Sequence, residues 1–175
     1  MNNKPMKGID FVVAGVIRTE RKSYAILVDE TTSLYFPIHC GEAQAILIEN
    51  IITDKCEFDI EYYGLYFSFL SMFKAHDMFP SQISFALDKN GSVSCSMDVT
   101  EENELGFKIS RVPLLTADAV ILCAIGKMSI VIYGAVDTEF TFKINKDVSK
   151  QNVFQFICDD ILKAERLAAI DSGEE

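Results

Sequence analysis

The sequence predicts a single α+β domain in which antiparallel or mixed β-sheets with hairpins are packed by about four helices. Short apolar runs of strand length fill much of the first forty residues, and an Asn-Gly pair later separates two alternating runs. Helical periodicities are interspersed among these strands rather than following every strand, which favours α+β over a doubly wound fold. The 175 residues, 49% of them hydrophobic, are enough for one core.

The first elements are three short strands. Apolar runs at residues 11–17, 23–28 and 34–38 have strand length. The polar segments Arg18–Lys22 and Asp29–Ser33 separate them and supply the turns. We therefore expect the three strands to follow one another closely.

The spacing becomes helical after the third strand. Four residues recur at i, i+3, i+4 and i+7, namely Ala43, Ile46, Leu47 and Asn50. This spacing predicts a short helix with those residues on one face. A further strand is expected over Cys56–Tyr62, ending near Gly64, and a helix over residues 65–77, whose many Phe side chains we expect in the core.

A hairpin is predicted in the middle of the chain. Residues 83–87 and 93–99 each alternate between apolar and polar or small side chains. Asn90-Gly91 lies between them, and this dipeptide tolerates positive φ at both central turn positions. The sequence therefore predicts an antiparallel hairpin that turns at this pair.

The remaining elements alternate between strand and helix. We expect strands over residues 107–112, 128–133 and 139–144, and a buried helix over 116–125 that Thr116 caps and Gly126 ends. Spacing from Val153 to Leu162 predicts an amphipathic terminal helix, followed by a loose DSGEE tail. The main domain is assigned to residues 8–145, and the terminal helix and acidic tail to 146–175.

Composition restricts the class of protein. The net charge is −10, and the densest basic group is only Arg18, Arg21 and Lys22, so a broad nucleic-acid footprint is absent. No apolar run reaches the ~20 residues that span a bilayer. The first twenty residues make a poor signal peptide, and the five scattered cysteines contain no CxxC pair, which suits a reducing cytoplasm.

Phosphate loops of the GxGxxG and GxxxxGK[ST] types and the GxSxG nucleophile elbow are absent from the sequence. His39 and Cys40 end the third strand, but adjacent strand residues point to opposite faces and cannot chelate one ion together. His76 is the only other histidine. We interpret His39 as a polar strand-end residue and Cys40 as a core residue.

The order of motifs resembles that of the bifunctional nuclease family, whose members are credited with cleaving DNA and RNA. LYFPIHCGEAQAI aligns with the family's L-P-I-x-I-G-x-x-E-A-x-A-I and keeps Glu42 among six matching residues. TADAVILCAIGKMSIVIY is similar to R-P-S-D-A-I-x-L-A…P-I-x-V and keeps Asp118. The Asn-Gly hairpin lies between them, as in the family. The resemblance covers roughly residues 8–145.

The chain also departs from the family at polar positions. The glycine after the strand is His39, and the family's His-Asp pair falls on Tyr66 and Phe67. Its Arg-Pro-Ser falls on residues 115–117, which are Leu, Thr and Ala here. Groups that shuttle protons or hold a phosphate are therefore missing from those positions.

Two readings of the retained acids stay open. The resemblance implies a nuclease in which Glu42 and Asp118 hold Mg²⁺ or Mn²⁺, with Tyr66 and Arg111 as further catalytic candidates. Alternatively, both acids interact with helix dipoles and free N–H groups, and the chain is a catalytically lapsed binding or scaffold domain. The resemblance further implies a homodimer, and it alone implies a nucleic-acid substrate.

Overall fold

The computed structural model describes residues 8–29, 31, 34–53, 60–87, 92–103, 106–133, 142–143 and 153–172. Within these ranges, strands and helices build one mixed sheet with helices on both faces. The strands are β1 (Ile9–Arg18), β2 (Ser23–Asp29), β3 (Leu34–Cys40), β4 (Met78–Leu87), β5 (Val93–Asn103), β6 (Gly106–Leu114), β7 (Ser129–Tyr133) and β8 (Phe142–Lys143). The helices are α1 (Glu42–Ile52), α2 (Ile60–Ala75), α3 (Thr116–Gly126) and α4 (Val153–Ser172). The α+β class is confirmed.

The described strands lie in the order β6-β5-β4-β7-β1-β2-β3-β8. Neighbours pair antiparallel except β4 and β7, which are parallel. The predicted hairpin is confirmed, since β4 and β5 pair from Met78–Glu101 to Leu87–Val93. Its Asn90-Gly91 turn lies outside the described residues. Of the strand expected over 139–144, the structure describes only β8.

Apolar side chains pack on both faces of the sheet. On one face, α1, α2 and α3 pack against strand residues such as Leu27 and Phe85. On the other face, α4 contributes Ile157 and Ile161 to a second cluster with Ile26. Because Ile26 and Leu27 are adjacent on β2 and point to opposite faces, this strand is apolar without alternation.

Helix α3 is buried, as predicted. Ala117 and all residues from Ala119 to Cys123 are buried. Its cap differs from the prediction, because Leu115 is the N-cap residue with φ −73° and ψ 143° and makes no side-chain cap hydrogen bond. Thr116 already lies inside the helix, so it does not occupy the cap position. The helix ends at Gly126, and Lys127 adopts the left-handed conformation with φ 51°.

The expected strand over Cys56–Tyr62 is wrong where the structure describes it. Ile60–Tyr62 begin helix α2, Gly64 lies within it, and residues 54–59 lie outside the described ranges. Tyrosines favour strands, but tertiary packing stabilises a helix here, because Tyr63 and Phe73 are buried on one side of it. The expectation that the Phe side chains of this helix lie in the core holds for Phe73, which is buried, but not for Phe67, which is 36% exposed.

The buried face of α1 differs from the predicted one. Ala45, Leu47 and Ile48 are buried, whereas Ala43 and Ile46 are exposed. Residues 45–48 are four consecutive apolar residues, so they fit more than one helical phase and the sequence alone does not select between them.

The terminal helix is longer than its sequence pattern predicts. The structure continues α4 through Asp171 and Ser172, which corrects the start of the expected loose tail, and residues 173–175 lie outside the described ranges. In the described part of the chain, no helix is long and apolar enough to cross a lipid bilayer.

Candidate functional site

Asp118 joins the three helices that cover one face of the sheet. It lies in the first turn of α3, where a carboxylate interacts favourably with the helix dipole. Its Oδ1 accepts hydrogen bonds from the Tyr66 hydroxyl of α2 and from the Gln44 side-chain amide of α1, each at 2.8 Å. We call Asp118, Tyr66 and Gln44 the Asp118 junction.

The backbone at the start of α1 orients Gln44. The Gly41 N–H donates to Gln44 Oε1 at 3.0 Å, so the oxygen faces the helix start and the NH₂ group faces Asp118. Gly41 directly follows β3 and has an extended conformation, with φ −70° and ψ 161°. The end of β3 therefore fixes one of the two donors to Asp118.

The environment of Tyr66 makes its hydroxyl a hydrogen-bond donor. Burial, the hydrogen bond to Asp118 and the charge of that carboxylate raise the pKa of Tyr66 to about 12, while the hydrogen bond with Gln44 opposes the shift. At neutral pH the phenol is therefore protonated. It can donate to an anion, but it is not a general base.

Glu42 points away from the Asp118 junction. Its exposed carboxylate lies 3.9 Å from Arg18 Nε, and Arg18 also donates to Glu49 at 2.9 Å. Glu42 and Gln44 are two residues apart, which separates their side chains by about 200° around a helix. Because Gln44 faces Asp118, Glu42 and Asp118 have their contacts on different sides of α1.

Arg111 belongs to a different part of the sheet. It lies on β6, its side chain is exposed, and its Nε donates to Asp98 of β5 at 3.1 Å. These two residues are direct partners in the β5–β6 ladder. The described contacts of Arg111 thus involve the sheet surface rather than the Asp118 junction.

Glu42 and Asp118, which the resemblance implies as metal ligands, have separate partners in the structure. Glu42 and Asp118 have partners on different sides of α1, and Asp118 Oδ1 already accepts two hydrogen bonds. Across the described residues, no group of three or more His, Cys, Asp and Glu side chains could hold a metal ion. Asp118 by itself is still a candidate metal ligand, because Mg²⁺ can be bound by a single carboxylate together with substrate phosphates.

His39 and Cys40 behave as their adjacent positions predict. His39 is exposed, and its ring and the Tyr24 ring are T-shaped to one another, with ring centroids 6.0 Å apart. Cys40 is buried, and burial raises the pKa of its thiol despite opposing effects from a backbone hydrogen bond and Arg18. A thiol with a raised pKa is a poor nucleophile.

A second polar site lies between α4 and the strands β2 and β3. A cavity of about 550 Å³ there has the volume of a small-molecule pocket. The Tyr24 hydroxyl donates to Glu165 at 2.8 Å, and the Tyr35 hydroxyl donates to Asp160 at 3.3 Å. These pairs join α4 to the sheet, and in each case burial is the largest cause of a raised phenol pKa.

Sequence reasoning missed Gln44 and the contacts of α4. Gln44 had a signal, because a Gln three residues after a helix N-cap commonly reaches back to the cap backbone. Tyr24 and Glu165 had none, since 141 positions separate them and neither lies in a motif.

No family model matches the chain, and no curated protein matches it in sequence. The Asp118 junction and the motifs that resemble those of the bifunctional nucleases are therefore the features that bear on function. Of the acids in those motifs, Asp118 is the one that contacts another candidate residue, Tyr66.

Proposed function

We propose that this chain is a non-catalytic, homodimeric binding or scaffold domain that retains the fold of the bifunctional nucleases. The hydrogen bonds that Asp118 accepts support this proposal. Its Oδ1 accepts from donors on α1 and α2 while the residue itself belongs to α3. The carboxylate thereby connects three helices, a structural role that needs no substrate.

The charge distribution supports the same proposal. A nuclease must bring a polyanion to its site, and nucleic-acid affinity comes largely from Lys and Arg that neutralise phosphates. This chain has 16 Lys and Arg against 26 Asp and Glu. Three of its basic side chains already have acidic partners, since Arg18 pairs with Glu49, Lys108 with Glu101, and Arg111 with Asp98.

A weak nuclease is the second candidate, because Asp118 and Tyr66 lie in direct contact. Asp118 would be the carboxylate that holds Mg²⁺ or Mn²⁺, and the Tyr66 hydroxyl would be a donor beside it. A bound metal would supply charge stabilisation at the phosphate. Removing one charge-stabilising group from such a site commonly costs ~10²-fold or more in rate, so we expect this activity to be weak at most.

A digestion assay separates the two candidates. Labelled single-stranded DNA and RNA are incubated with the full chain in Mg²⁺, Mn²⁺ or a chelator, together with the Asp118→Asn, Tyr66→Phe and Glu42→Gln variants. The Glu101→Gln variant is the matched control, because Glu101 is a surface acid on β5 that pairs with Lys108. All proteins are purified identically so that a contaminating nuclease appears in every sample.

Our proposal predicts no metal-dependent digestion that distinguishes Asp118→Asn from the Glu101→Gln control. Digestion that requires the metal, is lost in a folded Asp118→Asn protein and persists in Glu101→Gln would establish the nuclease instead. Loss of activity in Glu42→Gln as well would show that the two acids act together despite their separate contacts.

A further inference from the structure

The outer side of α2 is exposed, and it carries apolar and small side chains that are spaced like a helix–helix interface. Four residues lie at i, i+3, i+7 and i+10 along it: Leu65, Ser68, Met72 and Ala75. This spacing places them in one stripe, which we call the α2 seam. Leu65 is 77% exposed and Met72 49%. Tyr63, Tyr66 and Phe73 occupy the opposite side, towards the core and the Asp118 junction.

Charge is missing from this part of the helix. No Asp, Glu, Lys or Arg occurs between residues 62 and 73, although the whole chain carries a net charge of −10. The solvent sides of α1 and α4, in contrast, carry acids such as Glu49 and Asp159. Two acidic copies of the chain can therefore meet along the α2 seam without placing like charges against one another.

When the α2 helices of two copies are antiparallel, large side chains of one α2 seam can lie opposite small side chains of the other. If the pair is centred on residue 70, Leu65 lies opposite Ala75 of the second copy, and Ser68 lies opposite Met72. Each layer then combines a large side chain with a small one, as well-packed helical interfaces do. A parallel pair would place Leu65 against Leu65 and Ser68 against Ser68, which leaves crowded and empty layers in turn.

We propose that a second copy of this chain docks on the α2 seam, with the two α2 helices antiparallel about a two-fold axis near residue 70. This inference rests on the homodimer in the proposed function and specifies its interface and symmetry. A two-fold interface uses the same patch on both copies, as this seam allows. A helix of 16 residues is about 24 Å long, and contact along this one helix is smaller than a standard stable interface, so the pair should be weak and concentration-dependent. We expect a dissociation constant in the micromolar range.

The oligomeric state of the full chain tests the surface. Light scattering and sedimentation, from ~1 to ~300 μM, should show the mass rising towards twice 19.6 kDa. Leu65→Lys should remain monomeric, because it places a charge in the seam. Phe107→Lys is the matched control, since Phe107 is a 74% exposed apolar residue on β6, and it should dimerise like the parent.

Cross-linking tests the antiparallel arrangement. Ser68→Cys and Met72→Cys are made as separate proteins in a background with Cys56→Ser and Cys158→Ser, because the other three native thiols are buried. Under mild oxidation the mixture should form a disulfide-linked heterodimer, while Ser68→Cys alone should stay uncross-linked. Efficient cross-linking of Ser68→Cys with itself would overturn the antiparallel pairing.

The outcomes distinguish the interface from the proposed function. A Leu65→Lys protein that still dimerises refutes the α2 seam but leaves the homodimer standing. A parent chain that is monomeric at ~300 μM refutes both. Nuclease activity in a chain that dimerises through the seam refutes the non-catalytic proposal and leaves the interface intact.

Discussion

Replacing Asp118 by alanine separates a structural carboxylate from a catalytic one. In the folded chain, Asp118 Oδ1 receives two 2.8 Å hydrogen bonds, from Gln44 and from Tyr66. Alanine removes this acceptor and leaves both donors without it at a half-buried position. Asparagine keeps an oxygen acceptor at the same place and removes only the negative charge. The two variants thus differ in the hydrogen bonds that they preserve.

The expected magnitude follows from those two bonds. A hydrogen bond to a charged group contributes ~1.5–3 kcal/mol, and partial exposure of the site places each bond near the lower end. We therefore expect Asp118→Ala to lower the free energy of unfolding by ~2–4 kcal/mol and Asp118→Asn by ~1 kcal/mol. In a chain of this length, the alanine change corresponds to a fall in melting temperature of roughly 4–16 °C.

Urea unfolding followed by far-UV circular dichroism and tyrosine fluorescence measures the difference, since the chain has no Trp. Thr116→Ala is a suitable control, because it changes a neighbouring residue of α3 that lies inside the helix and is not its N-cap. Residues that serve catalysis often reduce stability, so their removal is neutral or stabilising. An Asp118→Ala protein as stable as the parent would refute the structural role.

Three further outcomes are expected. Between pH 10 and pH 12, the Tyr66→Phe protein should lose less stability than the parent. The pKa of Tyr66 is about 12 in the folded chain and about 10 when it is unfolded, so unfolding of the parent releases a proton in this pH range and becomes more favourable as the pH rises. Urea midpoints of the two proteins that fall in parallel with pH would contradict this. Gly15→Ala should cost ~1–3 kcal/mol, since a Cβ there would lie 2.5 Å from the Phe154 ring of α4. In a Phe154→Ala background the cost should fall sharply, and equal costs in the two backgrounds would show that the ring is not the obstacle. Phe85→Ala should cost ~3–5 kcal/mol at a fully buried site, whereas Phe107→Ala on exposed β6 should cost ~0.5 kcal/mol or less; similar losses in thermal unfolding would contradict the assigned core.

Several strands were predictable because local patterns specify them. The run around Ala25–Leu27 is continuously apolar and is buried on both faces, and residues 93–99 alternate because β5 buries one face. The position of β7 was not predictable. It pairs with β1 through Phe11–Ile130 and with β4 through Ile83–Ile130, contacts between residues far apart in sequence that leave no local signal.

At the start of helix α2, the local residue preferences predict the wrong element. Its beginning contains aromatic residues that fit a strand, and only the packing of Tyr63 and Phe73 makes the helix favourable. The same helix is apolar almost all round, which usually indicates burial on every side. In a single copy of the chain, however, the outer side of α2 is exposed. The α2 seam is therefore exposed where the sequence pattern predicts burial.

The candidate site was predictable in its acids but not in its geometry. Motif positions identified Glu42 and Asp118, and helical periodicity placed both in first turns. A first turn, however, contains side chains that point in all directions around the helix. Whether Glu42 or Gln44 faces Asp118 depends on how α1 rotates against α3, and the ambiguous phase of residues 45–48 leaves that rotation undetermined in the sequence.

The presence of Asp118 at this position therefore has a physical explanation that does not require nuclease activity. A residue at this place must accept two hydrogen bonds from different helices and suit the positive end of α3, and an aspartate does both. The chain should therefore lose stability if this acid is removed, whether or not it cleaves nucleic acid. Glu42 lacks such a role, since its contact with Arg18 is long and exposed, and exposed pairs contribute ~0–1 kcal/mol. If both acids served catalysis together, substitution of either one should abolish activity. The structure instead predicts that Asp118→Ala impairs the fold while Glu42→Gln leaves the chain essentially unchanged.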